Sequence, residues 1–478
     1  MFDLLIEGGE LIDGSGSARC RADLAVQDGH IAALGDLRGQ ASRRRIDARG
    51  LVVAPGFIDS HSHDDALLLE HPARHPKLLQ GVTTVITGNC GISLAPLVNT
   101  APPSPLDILQ GPFEHALFSD YVRALQAARP ALNAALLVGH TTLRVGSMTE
   151  LDRPASPRET ARMRACVAEA LQAGAIGVST GVFYGPARAA TTQELIDIAQ
   201  PVAGGAGIVA MHLRDEGDDI DAALREALTI GSALNTPLVL SHHKLIGKAN
   251  HGRSAQTLAQ IDEAARHQAV CIDCYPYTAS STMLLPERVA GSTDVQITWS
   301  QREPAAAGRS LRAMAAERGV DPVALAQALM PGGAIYFAMS DDDVDRILAH
   351  PLCMIGSDGL PAPGAQHPRL WGTFPRLLGH YVRDRRLLSL ETAVHKMTGL
   401  PARRFSLTGR GLLQLGACAD VTVFDADTIA DRATYSQPAT EPVGVRWVLV
   451  NGQVALAEGE PQTQHAGAVL KRRRSGSA

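Results

Sequence analysis

Short, nearly unbroken apolar runs alternate along the chain with longer stretches whose apolar residues recur every three or four positions. The runs are Leu51–Ser60, Val82–Thr87, Ala134–Gly139, Gly174–Thr180, Gly207–His212, Pro237–His242, Ala269–Tyr275 and Cys353–Ser357. Each has strand length and is apolar at successive positions, the pattern of a parallel strand covered on both faces. The amphipathic stretches are clearest at Pro157–Gln172 and Thr192–Ala203, where the spacing predicts one buried helical stripe. Eight such units within about 350 residues predict an α/β fold, a TIM-type (β/α)8 barrel. No period of 20–50 residues repeats, which excludes a solenoid or propeller.

Three regions break the alternation. Residues 1–55 read as short strands with turn punctuation, and so do residues 411–478, where VRWVLVNGQVAL bends at the hairpin signal Asn451-Gly452. Each segment is too short for a stable sheet alone, so the two are expected to pair into a small β-sandwich flanking a barrel at 56–410. The third region, 284–343, is an insertion after barrel strand 7 with helical patterning of its own, in PAAAGRSLRAMAAERGV and DPVALAQALM. Insertions after barrel strands lie over the active-site face, so this one is expected to wall a pocket. The tail KRRRSGSA is expected to be disordered.

Composition narrows the possible functions. The 478 residues are 45% hydrophobic and 19% charged, which excludes a disordered chain. A net charge of −5 provides no attraction for nucleic acid or an anionic membrane. No apolar run approaches the ~18 residues of a membrane span, and MFDLLIEGG lacks the basic start of a secretory signal. Seven scattered cysteines do not form a secreted disulfide framework. A cytoplasmic enzyme with reduced thiols is the expectation, with no nucleic-acid or membrane partner. Lysine occurs only at 77, 244, 248, 396 and 471, so a lysine in an apolar setting is not cheap surface charge.

The strongest chemical signal is GFIDSHSH. Residues i and i+2 of a strand project to one side, so His61 and His63 are expected to face one metal at the barrel's C-terminal mouth. Cys90, His212, His242 and Asp358 fall at the ends of four other strands, in ITGNCGIS, IVAMHLRDE, LVLSHHK and MIGSDG. Three His/Cys ligands with an open position describe a catalytic zinc, and a thiolate argues against magnesium or calcium.

With these residues in place, the chain resembles the amidohydrolase superfamily, and within it the N-acyl-D-amino-acid deacylases (D-aminoacylases). The likeness covers almost the whole chain, from the N-terminal β segment to ADVTVFD, and GNCG is its most specific element. Many binuclear relatives bridge two metals through a carboxylated lysine or a glutamate, and neither motif is evident here. The resemblance implies that Cys90, His212 and His242 hold one tight zinc. It further implies that His61 and His63 form a second, weaker site with Cys90 bridging, and that Asp358 is the general base. The implied substrate is a small N-acyl-D-amino acid, and the D stereochemistry comes from the resemblance alone.

Candidate substrate contacts surround this set. The Tyr184 hydroxyl, after the fourth strand, is placed to meet an oxyanion or a carboxylate, or else packs on the rim. Lys244 resembles the family's substrate-carboxylate lysine. Tyr275 and Ser281 match family contact positions, with simple packing as the alternative. Arg369 is expected to grip the α-carboxylate as a guanidinium fork. If Arg288 points inward it favours an acidic side chain such as D-glutamate; if outward it is a surface arginine. Cys271 and Cys274 lie on opposite faces of their strand, His243 is expected to pack or cap, and the lone His71, His75, His115 and His140 read as structural. Two other functions compete: a cyclic amide hydrolase of the hydantoinase or dihydropyrimidinase kind, which would want the missing bridging lysine, and a barrel kept only as a scaffold, which would have lost ligands.

Overall fold

The apolar runs become eight parallel strands in one sheet: Phe57–Asp59, Val82–Thr87, Asn133–Gly139, Gly177–Gly181, Ile208–His212, Leu238–Leu240, Val270–Cys274 and Cys353–Ile355. The structure is a computed structural model that describes residues 1–70, 74–361, 365–463 and 465–472. Hydrogen bonds join each strand to the next in this order. The eighth and first meet through Ser60 N to Ile355 O at 3.2 Å and a bridge between Ser62 and Gly359, closing a (β/α)8 barrel.

Alternation within each strand explains the continuous apolar runs. Ile86, Leu137, Ile208, Val239 and Met354 pack inside the barrel, while their neighbours Val85, Val138, Val209, Leu240 and Ile355 pack outward against the helices. The same alternation separates Cys271, inside, from Cys274, outside, so they form no pair, as expected. The predicted helix at 157 spans Pro157–Ala173. Ser156 caps it in a reciprocal box with Glu159, proline opens it, and Gly174 ends it at φ 118°.

One expected strand is two. Leu51–Ser60 breaks at Gly56: Val52–Pro55 joins the flanking sheet and Phe57–Asp59 starts the barrel. A Cβ at Gly56 would lie 2.2 Å from the Thr83 side chain, so only glycine fits this crossing. The chain termini do pair, since Val421–Phe424 runs antiparallel to Val52–Pro55, and their strands join in one hydrogen-bonded nine-stranded sheet. Its own core includes Leu4, Ile6, Leu24, Val53, Val421 and Leu449. The hairpin turns at Asn451 and Gly452, with φ of 49° and 80°.

The insertion contains the two expected helices, Leu311–Arg318 and Pro322–Leu329. It also contains an unforeseen antiparallel sheet in which Gly332–Phe337 lies between Ala279–Met283 and Asp294–Ser300. That sheet begins ahead of the expected boundary at 284. Among the described residues no helix is long and apolar enough to cross a membrane. Residues 473–478 of the tail, and His71, lie outside the described residues.

Candidate metal centre and substrate cavity

The barrel delivers its chemistry through loops just past the strand ends. The first strand stops at Asp59, so strand alternation is not what aims His61 and His63; the bend after it does. Cys90, His242 and Asp358 have left-handed backbones, with φ of 54°, 37° and 49°. Such conformations cost roughly 1–3 kcal/mol each in a non-glycine residue and cluster where function fixes them.

Cys90 is the hub. Its Sγ lies 3.2 Å from His61 Nε2 and 3.3 Å from His242 Nε2. Two sets of donor atoms each fall within 4.8 Å of one another: Cys90, His212 and His242, and His61, His63, Cys90 and Asp358. All six residues are buried. Two ligands at Zn–S and Zn–N bond lengths around a tetrahedral ion stand roughly 3.5 Å apart, close to the spacings seen. Both ring nitrogens of His212 are buried without a hydrogen-bond partner, which is unfavourable unless a metal takes one. The donor set therefore fits a thiophilic divalent ion. Burial opposes ionisation of the Cys90 thiol, but His61 and His242 override it and hold the thiol well below its usual range.

Carboxylates that the sequence reading missed brace these ligands. Glu216 Oε1 lies 3.0 Å from His242 Nδ1, on the ring edge away from Cys90. Asp273 Oδ1 accepts the His242 amide at 2.8 Å and lies 3.3 Å from His61 Nδ1. Carboxylates behind metal-binding imidazoles fix ring orientation and raise basicity. Asp273 is the penultimate residue of the seventh strand, and Glu216 follows His212 by four residues.

Above this set opens a cavity of about 310 Å³. Nine of the twelve expected site residues line it: His63, Tyr184, His212, His242, Lys244, Ser281, Arg288, Asp358 and Arg369. Cys90 and His61 lie beneath it. Tyr275 does not line it; its buried ring lies under Lys244 Nζ at 5.6 Å and Arg369 Cζ at 4.7 Å. Apolar walls come from Ile108, Phe183, Met283, Trp299 and Leu360.

The charges are paired in ways the sequence did not foretell. Asp358 Oδ2 is 2.9 Å from Arg369 Nη1, and its Oδ1 is 3.2 Å from His63 Nε2. Burial opposes its ionisation, yet Arg369, His242 and His63 hold the carboxyl well below the usual range. His63 is raised to about 9, where its bonds to Asp358 and Cys90 outweigh burial. Lys244 donates to Glu216 Oε1 at 2.6 Å and to His242 O at 2.9 Å, and lies 2.7 Å from His242 Nδ1. Arg288 points inward: its guanidinium stacks 4.4 Å over Phe183 and lies 3.7 Å from Glu216 Oε2. The Tyr184 ring is 5.0 Å from that of His212, and burial pushes its hydroxyl far up, keeping it a neutral donor. The discounted histidines are structural: His140 faces Glu194 and His243 bonds Thr257, both buried.

A model of the amidohydrolase family matches residues 44–456. A D-aminoacylase of Alcaligenes xylosoxydans xylosoxydans is 53% identical over 98% of each chain. An N-acyl-D-aspartate deacylase of the same organism is also 53% identical, over 94% of this chain and 91% of that protein. The solved structure of N-acyl-D-glutamate deacylase from Bordetella bronchiseptica, complexed with zinc and a phosphonate inhibitor, superposes with a TM-score of 0.93. It is 46% identical and covers 98% of this chain and 99% of that one. The chain belongs to the amidohydrolase family, in its N-acyl-D-amino-acid deacylase branch.

Proposed function

We propose that this enzyme hydrolyses N-acyl-D-amino acids to a carboxylate and a free D-amino acid, with an acidic side chain of the D-glutamate kind preferred. The observation that carries the reading is one cavity lined by His212, His242, Asp358 and Arg288, with the Cys90 thiol within ligand distance of His212 and His242 behind that lining. The close relatives act on N-acyl-D-aspartate and N-acyl-D-glutamate, linear amides, which favours this reading over a cyclic substrate.

Cys90, His212 and His242 would hold a zinc ion tightly, and His61 and His63 would hold a second, weaker one with Cys90 shared. When bound, zinc supplies Lewis acidity that polarises the scissile carbonyl and acidifies the attacking water. Asp358 receives the proton of that water. Its depressed pKa keeps it ionised at neutral pH and makes its protonated form a strong donor, which a poor nitrogen leaving group requires. The neutral Tyr184 hydroxyl donates to the oxygen of the tetrahedral species. Arg369 and Lys244 receive the α-carboxylate, Ser281 contributes to the wall, and Tyr275 supports the two cations from behind. Arg288 faces the substrate side chain, where a guanidinium pairs with a carboxylate in fork geometry.

We also propose the division into a terminal β-domain (1–55 and 411–478) and a barrel (56–410). Seven unpaired cysteines support a reducing, cytoplasmic setting. The reading is tested by Asp358→Asn: zinc content should equal that of the wild type while kcat for N-acetyl-D-glutamate falls about 10²–10⁴-fold. Unchanged turnover contradicts the role of Asp358.

A further inference from the structure

Lys77 is fully buried, and its ammonium donates to Asp59 Oδ2 at 2.8 Å and to Ser357 Oγ. Asp59 precedes the loop that carries His61 and His63, and Ser357 immediately precedes Asp358. Asp59 binds both loops: its Oδ1 accepts the Ser357 amide at 2.7 Å and the His61 amide at 3.2 Å, and its Oδ2 accepts the Ser357 hydroxyl at 2.5 Å. The Ser357 hydroxyl in turn accepts the Gly359 amide at 3.1 Å. With one proton given and two taken, that hydroxyl is saturated. The residues on both sides of Asp358 are thereby pinned, while its own amide bonds His61 O at 2.8 Å.

We propose that Lys77, Asp59 and Ser357 form a positioning clamp across the seam between the eighth and first strands, fixing the Asp358 carboxylate relative to His61 and His63. The inference rests on the roles assigned to those residues above. Three observations converge on it. The clamp lies where the barrel closes with few strand hydrogen bonds, so the register of the two loops needs another source. Asp358 is held at φ 49°, a conformation that relaxes unless its neighbours over-determine it. The backbone is also shaped around the clamp: a Cβ at Gly359 would lie 2.8 Å from Lys77 Nζ, and one at Gly356 would lie 2.5 Å from His61 Cβ. A buried ion pair is a poor source of stability, because desolvation offsets most of its attraction, whereas its directionality fixes geometry. In a chain that places only five lysines, this one serves direction.

The test uses full-length, zinc-loaded enzyme and N-acetyl-D-glutamate, with wild type assayed first. Ser357→Ala keeps the ion pair and the amide bond to Asp59, and removes the hydroxyl that ties both to the Gly359 amide just after Asp358. Its kcat per zinc-loaded site should fall about 10–100-fold, the range seen when partners behind a metal ligand are lost. KM, zinc content and thermal midpoint should stay near wild type. Lys77→Met should lower kcat further at unchanged KM, measured per folded molecule by circular dichroism. Unchanged kcat in Ser357→Ala overturns the clamp, as does a loss in either variant that only follows the folded fraction. A wild type that releases no D-amino acid refutes the reading of the site on which the clamp rests, whereas an active wild type with an unaffected Ser357→Ala refutes the clamp alone, so the two failures are distinguished.

Discussion

The Lys244 ammonium is bonded to Glu216, Nζ to Oε1 at 2.6 Å, with neither side chain more than 4% exposed. The same carboxylate oxygen lies 3.0 Å from His242 Nδ1. Glu216 therefore joins a proposed zinc ligand to a proposed substrate cation. Burial opposes its ionisation, but Lys244, His212 and His242 keep it well below the usual carboxylate range. Glu216→Gln should lower zinc affinity about 10–100-fold, because His242 loses the carboxylate behind its ring, while the far-ultraviolet spectrum stays that of wild type. Chelator competition measures this, and an unchanged affinity would remove Glu216 from the account.

Arg288 tests the side-chain preference. Its guanidinium lies over Phe183 in the cavity wall, 3.7 Å from Glu216 Oε2. Arg288→Leu should cut kcat/KM for N-acetyl-D-glutamate by about 10–100-fold, the worth of one charge-assisted pair. It should raise kcat/KM for N-acetyl-D-leucine. Steady-state kinetics on the two substrates decides the matter; a parallel loss on both would show that Arg288 serves packing rather than selection.

Burial drives His75 down to about 3, with Lys77 adding to the effect. The unfolded chain binds a proton there near pH 6.5 and the folded chain does not, so the sign is fixed. Full stability is present above pH 6.5 and declines as pH falls toward 3, on the order of 3 kcal/mol by pH 4. Thermal midpoints of wild type and His75→Gln, followed from pH 7 to 4, should converge as pH falls. Parallel curves would mean that His75 is protonated in the folded protein.

The C-terminal residues Val469–Leu470 pair in parallel with Ala134 and Ala135 at the base of the third barrel strand, and Leu470 packs on the barrel interior. Ala134 N bonds Ala468 O at 2.9 Å, and Asn133 Oδ1 accepts the Ala468 amide at 3.1 Å. Truncation after residue 464 strands these buried groups and should cost about 2–4 kcal/mol. The site lies at the other end of the strands, so kcat at 25 °C should not change. Differential denaturation with parallel kinetics separates the two effects.

The barrel was legible because strands covered on both faces read as continuous apolar runs, as Val85 and Ile86 illustrate. The metal-type residues were legible because they collect after strand ends. The split at Gly56 was not: the run stays apolar through a crossing that only the Thr83 side chain explains. Nor was the insertion's sheet, whose strand Asp294–Ser300 is too polar to stand out beside two alanine-rich helices. Glu216 and Asp273 escaped because a carboxylate near a strand end carries no signal until the histidine it braces is placed. The pairing of Arg369 with Asp358 and of Lys244 with Glu216 depends on loop geometry that spacing does not encode.

The most direct measurement is amine release from matched N-acetyl-D- and N-acetyl-L-amino acids, with Glu, Asp, Leu, Met and Phe side chains, before and after zinc is stripped and restored. The account predicts zinc-dependent turnover confined to the D series and led by the acidic members. Turnover of the L series, or none of either with zinc bound, would contradict it.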